Sequence, residues 1–414
     1  MTSPFPPTIP RSLNPFRTLA TYRNFRLFWI GQTISLVGTW MQTVAVGWTA
    51  LELTDDAFLV GLVAAAGTFP ILILSLPGGV VADRQEKLRV IRIAQTLMLL
   101  EAVALWALAV TGHLTIHWLL TLTLFGGTMA AFEIPARQSL IVELVGKEDL
   151  AQAIGLNSTG FNLARVLGPT IAAIVIAKGG IAWTFGLNAL SYLAVLIGLG
   201  MIRLPERRAI PRAQLSTLEG MFEALRYVRD TPPLPMLLTI ACLFSVFGVP
   251  VITLLPVVAR DLLGLGPDGY GALMASFGLG AVFGALGIAA TGGGKDRGGL
   301  FRLASHAFPL LLIAFAFVRH AWISGLLLFG VGLAMILNNA LVNARLQALV
   351  PDELRGRVLS LYVMVYVGGS PIGSFLSGAV ARETDAAWAI GGGAVLMLLF
   401  ALWAFRRHPV LAAS

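Results

Sequence analysis

The chain reads as an all-α integral membrane protein of twelve transmembrane helices, arranged as two pseudo-symmetric six-helix bundles, and three observations lead there. It is 57% hydrophobic and only 12% charged over 414 residues, with a mean hydropathy of +0.82, far more apolar than a soluble domain. A hydrocarbon slab takes about 20 apolar residues per helical crossing, and the apolar runs supply enough for twelve. A short charged element also occurs twice: Gly79, Asp83-Arg84 and Arg89 recur as Gly292, Asp296-Arg297 and Arg302, at a constant offset of 213 residues (296 − 83). Each copy falls where one apolar run gives way to the next, so the spacing predicts a duplicated half.

The expected cores of the spans run over 27–51, 57–82, 88–111, 115–136, 150–177 and 181–202, then 235–259, 270–291, 300–318, 322–344, 358–380 and 387–405. This divides the chain into a disordered tail (1–20), a first bundle (21–203), a polar linker (204–233), a second bundle (234–407) and a short tail (408–414). A net charge of +8 and a pI near 10 could suggest nucleic acid, but the placement of the cations excludes it. With the N-terminus inside, the inner segments carry 4, 4, 2, 6, 3, 3 and 2 basic residues, 24 in total. The outer loops carry only Lys178, Arg260, Arg319 and Arg382, and Arg165 lies within a span. That bias predicts both termini in the cytoplasm, with anionic headgroups as the partner of the basic residues. Cys242 is the sole cysteine, so no intrachain disulfide forms. The first apolar run lacks a small-residue cleavage site and is expected to be a retained span.

The first span carries Gln32, Ser35, Thr39 and Gln42 at steps of three to four, on one helical face. That face is expected to look into the substrate cavity, with helix–helix hydrogen bonding as the alternative, because in lipid a polar stripe must meet water, substrate or another helix. The second span holds Pro70 and Pro77 and ends in Pro77-Gly78-Gly79, a composition that permits bending and close helix approach. Glu101 and Arg165 stand near the middle of the third and fifth spans at similar expected depth. A charge there costs about 2.5 to 3.5 kcal/mol on insertion scales. They are candidates for a proton-coupling pair, or for a static pair holding the first bundle together. Glu133 and Arg137 have helix-surface spacing. Ser158, Asn162 and Arg165 at i, i+4 and i+7 precede Gly168-Pro169; the eleventh span has Ser370-Pro371 in the matching place but Val367 where the arginine would fall.

In the linker, Ser216 and Glu219 can form a capping box, and Leu215, Leu218, Phe222, Leu225 and Val228 share a face. An amphipathic helix lying on the inner surface is expected, stopped at Thr231-Pro232-Pro233. In the second half the polar cavity candidates are Ser245, Thr253, Asn338, Asn339, Asn343, Tyr362 and Tyr366, beside an apolar wall of Phe244, Phe247, Met274 and Phe277. His113 and His117 lack neighbouring carboxylates, and no metal site is expected.

Twelve spans as six plus six, a long central inner loop and the Gly-x-x-x-Asp-Arg element after spans two and eight resemble the major facilitator superfamily. Pro135-Ala136-Arg137-Gln138-Ser139 and the segment from Gly155-Leu156-Asn157-Ser158 through Asn162, Arg165 and Gly168-Pro169 resemble its drug:proton antiporter branch. Within that branch the chain is most similar to the transmembrane secretion effector family, which includes enterobactin exporters, macrolide efflux proteins and a lysophospholipid transporter. The resemblance implies alternating access of two halves around a central cavity lined by spans one, four, seven and ten. It also implies an inner latch in which Gly79, Asp83, Arg84 and Arg89 meet the start of span eleven near Arg357, mirrored by Asp296, Arg297 and Arg302 against span five. The expected activity is proton-coupled export of a small amphipathic organic molecule of the drug or siderophore class. A lysophospholipid flippase is the alternative within transport, and a polytopic membrane enzyme or sensor the alternative outside it; no recognisable catalytic group supports the latter. The expected partners are a small-molecule substrate, protons and membrane lipid, without a cofactor, and the chain is expected to act as a monomer.

Overall fold

The computed structural model of the protein describes residues 17–146, 148–203, 217–290 and 297–412. Twelve long helices follow one another: α1 (Arg23–Thr54), α2 (Ala57–Arg84), α3 (Lys87–Val110), α4 (Ile116–Val145), α5 (Leu150–Gly179), α6 (Ala182–Met201), α7 (Leu234–Leu262), α8 (Pro267–Ala290), α9 (Arg297–Phe317), α10 (Ala321–Leu349), α11 (Asp352–Glu383) and α12 (Ala386–Arg407). Eleven are long and apolar enough to cross a membrane. The remaining one, α1, has 32 residues, about 48 Å at 1.5 Å per residue. It carries the Gln32 to Gln42 stripe and packs against α5 and α6, so it is long enough to span but polar along one face.

The expected spans fall within these helices to a few residues, and the larger differences lie on one side. Helix α4 continues to Val145, α10 to Leu349, and α11 begins at Asp352. All three extensions are on the side carrying the basic loops, called inner below. Hydropathy marks the slab, whereas helical hydrogen bonding carries on past it into water.

The packing repeats between the halves. In the first, α2 packs on α4, α3 on α4 and α6, and α1 on α5; in the second, α8 packs on α10, α9 on α10 and α12, and α7 on α11. Adding six to each helix number turns one set into the other. Between the halves the main seams are α2 on α11 and α5 on α8, which the same operation exchanges. Small residues make these seams close: a Cβ on Gly61 would stand 2.5 Å from the Ser374 carbonyl oxygen, and one on Gly271 would stand 2.6 Å from the Ala173 Cβ.

Apolar burial divides into three clusters. One joins both bundles at the outer side, from Met41, Trp48 and Val60 to Tyr270, Phe277 and Phe308. On the inner side the bundles keep separate cores, one around Phe25, Leu88 and Leu140, the other around Leu237, Phe301 and Leu346. The two halves are therefore fused at the outer side and independent at the inner side.

Helix α7 is not uniform. Pro250 and Pro256 cannot donate to the helical ladder, and wider turns occupy Phe244–Gly248 and Val258–Leu262, with Val249 N donating to the Phe244 carbonyl at 3.2 Å. The first of these faces α11 where Gly369 and Gly373 bring the backbones together.

The linker helix, Thr217–Asp230, is present and ends at the expected place, but its buried face differs from expectation. Ala224 and Val228 pack into the inner core of the second bundle, while Phe222 and Leu225 are 66% and 53% exposed. The helix docks through Ala224, the expected Val228 and the half-buried Tyr227, and leaves Phe222 and Leu225 outward. The expectations for the tail over 1–16, for Leu215 and Ser216, and for Gly292 and Asp296 fall outside the described residues.

Candidate functional site

Two cross-bundle ion pairs sit over the fused outer core. Helix α1 ends at Asp55 in the left-handed region (φ 51), and its carboxylate pairs with the Arg260 guanidinium at the outer end of α7. Asp56 caps α2 by accepting from Phe58 N at 2.8 Å and lies 3.7 Å from Arg382 at the end of α11. Trp48 stacks on Tyr270 beneath them at 6.0 Å. The outer side is thus sealed by apolar packing topped with charge.

On the inner side a cavity of about 830 Å³ follows the inner half of α10 to the start of α11, bordered by Ile336, Asn339, Asn343, Gln347, Arg355 and Tyr362. Asn339, Asn343 and Gln347 recur every four residues and so share one face of α10. Gln347 and Arg355 were not among the sequence candidates, although that four-residue step of amides was there to be read. Asn339 donates to the Tyr366 hydroxyl at 2.5 Å, and the Tyr362 hydroxyl donates to Asn339 Oδ1 at 3.2 Å. The two tyrosine rings stack at 6.0 Å.

Arg165 and Glu101 lie at the expected depth but do not meet. Glu101 is buried inside the first bundle and accepts from Gln42 Nε2 at 3.0 and 3.3 Å. Gln42 Oε1 accepts from Asn188 Nδ2 at 2.7 Å, and Ser191 Oγ donates to Asn188 Oδ1 at 3.0 Å. Arg165 points the other way: its Nη2 donates to Asn162 Oδ1 at 2.8 Å, and its Nε has no partner. No ion pair joins them among the described residues, which corrects the expectation of a facing pair. Both sit about 20 Å from their inner helix ends, but depth along a helix says nothing about azimuth, and α5 turns Arg165 toward the second bundle.

The same distinction sorts the other candidates. Gln32 and Ser35 are buried in the first bundle, and Gln42 belongs to the Glu101 network; of the first-span stripe only Thr39 is exposed. Ser245 is fully buried, donating to the Tyr366 carbonyl. Asn338 is buried against Ser305 of α9, to which it donates at 2.8 Å. Of the polar cavity candidates in the second half, Asn339, Asn343 and Tyr362 border the inner cavity. Glu133 accepts from Arg137 at 2.9 Å and from Gln95 at 3.3 Å, tying α4 to α3.

The inner latch is apart. Asp83, Arg84 and Arg89 are exposed, and Asp83 makes no hydrogen bond or ion pair with another described residue. Arg357, its expected neighbour, pairs instead with Glu223 of the linker helix. Arg302 is exposed, and the Arg297 side chain is outside the described residues. Near the inner mouth Tyr22 donates to Asp149 at 2.9 Å, and that hydrogen bond raises the phenol above its ordinary range.

A family model described as transmembrane secretion effector matches residues 11–412. The chain is 28% identical over 404 residues to the enterobactin exporter EntS of Shigella flexneri, covering 94% of this chain and 95% of that protein. It is 27% identical over 399 residues to the enterobactin exporter EntS of Salmonella typhimurium, with 94% of each covered. Among solved structures, the peptide transporter POT in complex with sulfate is similar with a TM-score of 0.75 at 14% identity, over 97% of this chain and 99% of that one. A bacterial homolog of the human lysosomal transporter Spinster, in an inward-facing and unoccupied conformation, gives 0.71 at 14% identity, over 95% and 97%. At that identity the two structures speak for the fold alone.

Proposed function

Because the chain belongs to the transmembrane secretion effector family, a branch of the major facilitator superfamily, we propose that it exports a small amphipathic organic molecule across a bacterial inner membrane, driven by proton exchange. It works by alternating access as a monomer, with both termini in the cytoplasm. The observation that carries this reading is the contrast between an outer side closed by apolar packing shared by both bundles and an inner side that holds a cavity bordered by Asn339, Asn343 and Tyr362. The substrate enters from the inner side and reaches Asn339, Tyr362 and Arg165. The bundles then rock: the Asp55–Arg260 and Asp56–Arg382 pairs separate, and Asp83 leaves water for the positive N-terminus of α11. Arg84, Arg89 and the second element at Asp296, Arg297 and Arg302 complete the inner closure.

Glu101 is the proton-coupling candidate. An ionised carboxylate costs far more to bury than the neutral acid, and its only hydrogen-bond partner among the described residues is the amide of Gln42. Gain or loss of a proton there therefore changes how α1 is held against α3 and α6. Arg165, on the cavity side, senses substrate, and α1 packed on α5 links the two.

The test is proton flux in proteoliposomes loaded with a pH dye, using compounds selected by thermal stabilisation of the purified protein. Wild-type protein should move protons when such a compound is added, and Glu101→Gln should bind the compound while losing the flux at least tenfold. Undiminished flux in Glu101→Gln would remove that residue from the mechanism. Movement of a headgroup-labelled lysophospholipid without proton flux would transfer the reading to lipid translocation.

A further inference from the structure

We infer that the molecule carried through the inner cavity bears an anionic group, a carboxylate, sulfonate or phosphate, which serves as the counter-ion of Arg165. This rests on the transport reading above. A guanidinium stays charged at every pH a cell offers, so it cannot be neutralised by losing a proton as a carboxyl is by gaining one. Charged side chains inside a membrane protein pair with one another or face water or substrate. Arg165 is only 6% exposed and half-way along α5. Its one hydrogen-bond partner among the described residues is the neutral oxygen of Asn162, whose own amide is held by the Ser158 carbonyl at 2.8 Å.

The described residues offer no counter-ion to take that place. Glu101 is committed to Gln42 within the first bundle. On the other side, Tyr366 is a neutral phenol already engaged by Asn339. The backbone behind Arg165 is closed off as well, since a Cβ on Gly278 would stand 2.8 Å from its carbonyl oxygen. What is left is the unpartnered Nε. An oxyanion can accept from Nε and an adjacent terminal nitrogen at once, the two-pronged geometry in which arginine binds such groups most strongly. The rest of the ligand meets Ile336, Ala340, Ala344 and the Tyr362 ring, a wall suited to a small apolar body. Substrate arrival then completes a charge pair that the empty transporter lacks.

Three probes of one shape separate charge from fit: 1-naphthoate, 1-naphthalenemethanol and 1-naphthylmethylamine, titrated calorimetrically against the purified full-length chain. The naphthoate should bind at least tenfold more tightly than the alcohol, and the amine more weakly still. Arg165→Gln should cost at least tenfold in naphthoate affinity and erase the preference over the alcohol; Arg165→Lys should keep the preference and lose part of the affinity. If Arg165→Gln fails to fold, the ranking on wild-type protein and the lysine variant carry the test. Equal affinity for the three probes, absence of naphthoate binding at millimolar concentration, or a charge preference that survives Arg165→Gln would each overturn the inference. So would sodium sulfate alone binding as tightly as naphthoate, which marks an inorganic anion site, or lysophosphatidylglycerol binding where naphthoate does not, which marks a lipid site. The readout is binding, so naphthoate that binds but drives no proton flux would sink proton-coupled export and leave Arg165 as an anion site, whereas a preference for neutral or cationic probes would sink the anion site and leave export of a molecule of another charge.

Discussion

The outer and inner ends of the two bundles are built from the same kinds of residue and hold one another in opposite ways. At the outer end, Asp55 and Asp56 reach across to Arg260 and Arg382 above a continuous apolar core. At the inner end, Asp83 has no described partner, Arg357 is taken by Glu223, and each bundle keeps its own core. The difference teaches that charge does not by itself hold the halves together. Exposed ion pairs contribute only about 0.2 to 1 kcal/mol each, whereas packed glycine seams and shared apolar area supply far more. The charges therefore bias a balance set mainly by packing.

This ranking can be broken or sharpened with one readout, the reaction of an outside-added impermeant maleimide with Val63→Cys in a Cys242→Ser background. Val63 is buried in the fused outer core, so the label reports outer opening. The largest effect should come from Gly61→Leu. Its new side chain meets the Ser374 carbonyl and the Gly378 Cα, and overpacking costs about 1 to 3 kcal/mol, so labelling should rise at least fivefold and transport should fail. Labelling unchanged by this variant would show that the α2–α11 seam does not hold the outer side shut.

An intermediate effect is expected from Asp55→Asn combined with Asp56→Asn. Asparagine still caps α2, so the change isolates the cross-bundle charge pairs, and labelling should rise about two- to fivefold. In wild-type protein, raising the salt concentration should move labelling the same way; a shift larger than that of Gly61→Leu would reverse the ranking of packing over charge. The smallest effect belongs to Glu223→Gln, which frees Arg357 for the inner closure. Labelling should increase less than twofold, and adding Asp83→Asn should cancel the increase. Persistence of the increase in the double variant would mean that Asp83 plays no part in closing the inner side.

Much of the fold was legible from residue patterns alone. The repeat at Asp83 and Asp296 announced two halves, and the helix packing pairs do map onto one another by a shift of six. The site was legible in depth but not in direction. Glu101 and Arg165 were singled out because ionisable groups are rare at mid-span, yet Glu101 accepts from Gln42 and Arg165 donates to Asn162 of its own helix. Gln32, Ser35, Ser245 and Asn338 were read as cavity residues and instead bond or pack inside their own bundles. A helical stripe fixes which residues share a face; it does not name the neighbour that face will meet.

Composition and spacing, then, determined the number of crossings, their order and the duplication, because the cost of exposing backbone and charge to hydrocarbon acts on each segment separately. Only the assembled structure decided which polar groups meet across helices, which end of the molecule is closed and that no described residue brings Arg165 a charge of opposite sign. Those outcomes depend on the rotation of each helix and on contacts between segments far apart in the chain, such as Asp55 with Arg260 and Glu223 with Arg357, and no local pattern encodes them.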